Sequence, residues 1–150
     1  MINTQKYIRE NKKKFLSELF QLLRLPSISA DPKYSKDVVA TAEMVRNNLE
    51  KIGLTNCKLF ETDGFPIVYG EKIIDSNLPT VLIYGHYDVQ PPDPIDLWKS
   101  KPFEPEIRNE KIYARGACDD KGQFFMHVKA VESMIAAGEL CCNVKFMIEG

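Results

Sequence analysis

Apolar positions recur with a helical period over roughly Gln5 to Leu25, at Ile8, Phe15, Leu16, Leu19, Phe20, Leu22 and Leu23, and Pro26 ends the run. A second stripe, Val38, Ala42, Val45, Leu49 and Ile52, predicts a helix over about 36–52 with Gly53 as its C-cap. The loop between them, "PSISADPKYS", is punctuated by prolines, serines and Asp31. The pattern then turns to short strands: "TNCKLFET" and "PIVYGEKI" stand either side of an Asp63-Gly64 turn. Val81–Tyr84 reads as a buried strand. A proline-rich connection from Pro91 to Pro105 follows, with the only tryptophan, Trp98. "EPEIRN" and "KIYAR" predict a small hairpin turning near Asn109-Glu110. A helix over about 122–137, with Phe125, Val128, Val131 and Ile135 on one face and Gly138 at its stop, precedes a last strand over about 143–148. This order predicts an α/β fold, a layered domain with a mixed central sheet flanked by helices.

Composition narrows the function classes. The 150 residues suffice for one core; 44% are hydrophobic, 27% charged, and the net charge is -1, which disfavours a nucleic-acid binder. Lys12-Lys13-Lys14 read as the wet face of the first helix. No N-terminal apolar run resembles a secretory signal, and no window approaches the roughly 20 apolar residues of a membrane span. Cys57, Cys118, Cys141 and Cys142 form no CxxC pair. Adjacent Cys141 and Cys142 in extended chain point to opposite faces, so free thiols in the cytoplasm are expected. A glycine-rich phosphate loop is absent.

The chemistry gathers at two places. "YGHYDVQP" puts His86 at the carboxyl end of a strand, where open α/β sheets place ligands, and Asp88 two residues on. In extended chain both side chains leave the same side, so Asp88 can hold one imidazole nitrogen while the other takes a metal. The alternative makes Asp88 only a turn cap. In "YARGACDDKGQ", Asp119 and Asp120 stand side by side ahead of a helix. Adjacent carboxylates need a cation, amides or solvent, although one of them could simply cap that helix. A catalytic zinc takes three protein ligands, yet the only histidines are His86 and His127, and His127 falls inside the helix. The residues thus give the opening half of a metal site. A non-catalytic α/β binding or structural module remains open.

Taken together, "YGHYDVQP", Trp98 with "PFEP", and "IYARGACDDKGQ" resemble the cocatalytic zinc peptidase and deacylase family that includes carnosinases, cytosolic nonspecific dipeptidases and acyl-amino-acid deacylases, with the dipeptidase branch the nearer. The resemblance implies that residues 1–150 are the N-terminal part of a catalytic domain. It implies two Zn2+ ions, with Mn2+ or Co2+ as alternatives, held in part by His86 and by Asp119 as the bridging carboxylate. Asp88 then orients His86, and Asp119-Asp120 is a cis peptide. The general-base glutamate, further ligands and an inserted dimerisation domain fall beyond Gly150; Glu149 is not that base. The implied activity of the full-length protein is hydrolysis of dipeptides by metal-activated water, in a homodimer, with no nucleic acid or membrane partner. N-acyl-amino-acid deacylation is the alternative. The 150-residue chain alone is expected to be inactive.

Overall fold

The computed structural model describes residues 3–150. Helix α1 (Thr4–Leu23) starts at Asn3, whose side-chain oxygen accepts from the Lys6 amide at 2.8 Å, satisfying one of the free donors of the first turn. Helix α2 spans Ser35–Lys51, with Val38, Ala42, Val45 and Leu49 buried as their spacing predicts. Strands β1 (Thr55–Phe60), β2 (Ile67–Lys72) and β3 (Thr80–His86) follow, then the short β4 (Glu106–Arg108) and β5 (Lys111–Tyr113). Helix α3 (Lys121–Ala137) leads to β6 (Asn143–Glu149). Gly53 and Gly138 close α2 and α3 with φ of 93° and 67°, a region that a side chain resists.

The main sheet has the order β1-β2-β6-β3. Pairs β1/β2 and β2/β6 are antiparallel, whereas β3 and β6 run parallel from Thr80 opposite Asn143 to His86 opposite Glu149. The sheet is therefore mixed. Helix α2 packs on β1 and β2, and α3 packs on β3 and on α1. Hairpin β4/β5 stands apart and turns through Asn109 and Glu110, both at positive φ, as a tight hairpin turn requires.

Two expectations need correction. Strand β3 is not buried along its length: Val81, Leu82 and Tyr84 are 48%, 56% and 56% exposed. It pairs with β6 on one side and, among the described residues, with nothing on the other. Helix α3 buries more than one apolar stripe. Phe124 joins Phe125, Val128 and Val131, and Lys121, Lys129, Glu132 and Ser133 are buried too. The reason is that α1 covers one side of α3 while β3 takes another.

The charged residues between the helices are paired. Lys129 Nζ lies 2.5 Å from Glu18 Oε2 and 2.7 Å from Glu132 Oε2, and Lys14 Nζ lies 2.5 Å from Glu132 Oε1. Lys51 reaches Glu18 from α2 at 3.1 Å. Burial pushes the Glu18 and Glu132 carboxyls up, but hydrogen bonds from the lysines outweigh it and hold both below the usual range. Lys12, Lys13 and Lys14 are exposed, as a wet face implies, and Lys14 also reaches into this network. All four cysteines are free, and Cys141 and Cys142 lie just ahead of β6. Among the described residues, no helix is long and apolar enough to cross a membrane.

Candidate metal centre

Strand β3 ends at His86, and the chain stays extended for two more residues. Asp88 therefore returns to the same side: its Oδ1 lies 2.8 Å from His86 Nδ1. The other ring nitrogen, Nε2, lies 3.0 Å from Oδ1 of Asp119, which comes from the loop before α3. Asp119 is 80% exposed at its side chain, whereas the imidazole is two-thirds covered. Burial alone would lower the His86 pKa, but the hydrogen bonds to Asp88 and Asp119 prevail and hold it above its ordinary value.

Asp120 has a different job from the helix cap weighed above. It stands at the N-cap position of α3, yet its side chain makes no capping bond. Its main-chain oxygen receives the amides of Gln123 and Phe124, while its Oδ2 accepts the His86 amide at 3.1 Å. The Asp119–Asp120 peptide is cis. Gly85 makes the approach of Asp120 feasible: a Cβ there would stand 2.5 Å from Asp120 Oδ2 and 2.9 Å from Phe124 Cβ. Gly85→Ala is accordingly expected to cost about 1–3 kcal/mol of stability by forcing this contact apart. Urea unfolding measures it, and a midpoint equal to wild type would contradict the close approach.

A third group of residues, which pattern reading left in an ordinary loop, backs this site. Residues 27–29 run beside 87–89, with Ile28 and Val89 forming a parallel bridge. The Val89 amide donates to Ser27 O at 2.8 Å, and Ser27 Oγ donates to Tyr87 O at 2.7 Å. Ser29 Oγ donates to Asp88 Oδ2, the oxygen that His86 leaves free. Lys121, fully buried, donates from Nζ to Leu22 O at 3.2 Å and Leu25 O at 2.7 Å, so it caps the end of α1. Burial pulls the Lys121 ammonium down to about 7, with the Asp88 charge opposing. Serines in a proline-bounded loop read locally as turn formers; only the pairing with 87–89 gives them a second role.

The donor set suits a zinc-like cation in part. Two ligands about 2.0–2.1 Å from a tetrahedral ion lie roughly 3.3 Å apart, so the 3.0 Å between His86 Nε2 and Asp119 Oδ1 needs only a slight opening. An imidazole whose Nδ1 donates to a carboxylate is also in the tautomer that ligates through Nε2. The set is short in number: among the described residues, no group of three or more His, Cys, Asp or Glu side chains is placed to hold a metal ion. His127 does not join it; that residue lines a separate groove with Val81, Ile83 and Met134. Glu149, opposite His86 in the sheet register, receives the Tyr84 hydroxyl.

Comparison with known proteins shows what the chain is similar to. The model of Peptidase family M20/M25/M40 matches residues 82–150, the stretch that holds His86, Asp88 and Asp119. The chain is 35% identical over 158 aligned positions to the Cys-Gly metallodipeptidase DUG1 of Candida albicans, covering 95% of this chain and 33% of that protein. It is 33% identical to a succinyl-diaminopimelate desuccinylase of Xylella fastidiosa, covering 71% of this chain and 27% of that protein. The solved structure of the dipeptidase Dug1p from Saccharomyces cerevisiae superposes with a TM-score of 0.88 at 27% identity, over 98% of this chain and 34% of that one. The chain spans about a third of the length of these relatives. Along that span, residues 82–150 match the family's model, and the chain shares the α/β fold of the solved dipeptidase.

Proposed function

We propose that the intact protein is a zinc-dependent dipeptidase in which His86 is a terminal metal ligand, Asp119 bridges two ions, and Asp88 orients His86. The observation that carries this reading is the imidazole held at Nδ1 by one carboxylate and facing a second at Nε2. Support for the substrate class comes from the dipeptidases among the relatives.

When bound, zinc supplies Lewis-acid polarisation of the scissile carbonyl and a water acidified toward neutral pH. The chain's own residues do the rest of what can be assigned to it. Asp88 keeps the Nδ1 proton on His86, Asp120 fixes the backbone of His86, and the exposed Asp119 carboxylate faces the open side that substrate can reach. The proton-transferring glutamate and the remaining ligands are assigned to sequence outside these 150 residues. The four free thiols suit a reducing compartment. A second reading, hydrolysis of N-acyl amino acids, is favoured by the desuccinylase relative, because the same metal machinery can serve either amide.

The test compares the intact protein with the 150-residue chain on a panel of dipeptides and N-acyl amino acids, before and after chelation and zinc return. Dipeptide turnover is expected only from the intact protein, lost with chelator and regained with zinc. Turnover confined to acylated amino acids selects the second reading. Metal-independent turnover, or activity of the 150-residue chain by itself, refutes the assignment.

A further inference from the structure

We propose that Ser29 is a positioning residue for the metal centre, setting the plane of the Asp88 carboxylate and through it the direction of the His86 ring. The inference rests on the metal-site reading above and goes beyond it by assigning a residue 57 positions away from the histidine in sequence.

An aspartate's terminal torsion is broad and roughly two-fold, so one hydrogen bond at Oδ1 leaves the carboxylate free to rock. Here both oxygens are tied: Oδ1 to His86 Nδ1 and Oδ2 to the Ser29 hydroxyl. The second tie is useful only if the hydroxyl is itself fixed, and the surrounding chain fixes it. Ser27, Ile28, Tyr87 and Val89 are all buried, and the Ile28–Val89 bridge sets their register. Ser27 closes that register with two further hydrogen bonds, one from its hydroxyl and one to its carbonyl. Upstream, the Lys121 ammonium grips Leu25 O, two residues before Ser27. Lys121 follows directly on the cis Asp119–Asp120 pair. The loop after α1 is thus clamped to both halves of the site, and Ser29 is the side chain by which it reaches the carboxylate. A ring held in this way presents Nε2 toward Asp119 without first being ordered by the metal, which raises affinity by cutting the ordering cost.

The experiment uses the intact protein with Ser29→Ala and Ser29→Thr. Two quantities are read: zinc affinity by competition with a chelating dye, and solvent exchange of the His86 Nδ1–H by nitrogen-15 NMR of the metal-free protein. Ser29→Ala is expected to weaken zinc about tenfold, the lower end for partners of a ligand. It should also speed Nδ1–H exchange about five- to tenfold, the net worth of one hydrogen bond. Ser29→Thr, which keeps the hydroxyl, should restore both. Unchanged exchange in Ser29→Ala overturns the proposal, as does an equal loss in Ser29→Thr, which marks a packing effect. The NMR measurement needs no metal. If wild type takes no zinc while the Nδ1–H still loosens in Ser29→Ala, the metal reading fails and the positioning role of Ser29 stands.

Discussion

On the two-zinc reading proposed above, replacing Asp119 with alanine in the intact protein is expected to strip zinc from both metal positions at once. A bridging carboxylate serves two ions, so its removal cannot be confined to one. Locally it leaves His86 Nε2 with no other side chain within hydrogen-bond distance among the described residues. Loss of a residue that merely touches a ligand costs about 10–100-fold in affinity, so loss of the bridge should exceed about 100-fold at each position. Folding should survive, because the Asp119 side chain is 80% exposed and, among the described residues, hydrogen-bonds only to His86. Elemental analysis after gel filtration, with calorimetric titration of zinc into the metal-free variant, reads the outcome. Two ions retained at near-normal affinity would remove Asp119 from the bridge.

The second large effect is expected far from that site. Lys129→Met should cost about 3–5 kcal/mol at neutral pH, the range for breaking a buried pair by deleting one partner. Glu18 and Glu132 keep only 11% and 7% of their side-chain surface in water, and Lys129 stands against both at 2.5 and 2.7 Å. Without it, two carboxylates remain buried, answered by the solvent-accessible Lys14 and Lys51 and by the Tyr7 hydroxyl, which donates to Glu132 at 3.3 Å. The pH dependence has a definite sign. In wild type the folded carboxyls sit below their unfolded values, so their stabilisation is present above about pH 4.5. It fades as pH falls through the lower folded values. In Lys129→Met the same carboxyls are easier to protonate than to bury charged, so acid relieves the strain. The gap between variant and wild type should therefore narrow as pH drops from 7 toward 4. Urea unfolding across that range measures it; a gap that widens in acid would contradict the network.

The helices and the order of strands were legible because each declares itself locally. Val38, Ala42, Val45 and Leu49 mark a buried stripe at helical spacing, and Gly138 marks a stop, whatever lies around them. Burial of β3 was not legible in this way. A run such as Val81–Tyr84 says that the strand is apolar, but its exposure depends on whether a neighbour lies on each edge. The burial of charged side chains on α3 was not legible for a related reason. Lys129 and Glu132, three residues apart, look like a solvated face until α1 brings Glu18 and Lys14 over them.

At the candidate site, His86 and Asp88 could be paired from their spacing alone, since extended chain returns every second side chain to one side. Asp120 could not be placed so simply. Its position before a helix gave it an obvious local use, and only contact with His86 and the bare Cα of Gly85 diverted the side chain. Ser29 and Lys121 carried no local signal. Their partners, Asp88 and the carbonyls at the end of α1, lie 59 to 99 positions away.

The parallel pairing of β3 with β6 also sets a timetable during translation. The histidine-bearing strand leaves the ribosome first, and its partner among the described residues begins at Asn143. At ordinary elongation rates the intervening stretch of roughly 60 residues takes about 3–12 seconds to make. Through that interval the backbone groups of Val81–Tyr84 that β6 will pair stay unmatched beside an apolar run, a ready template for another nascent chain.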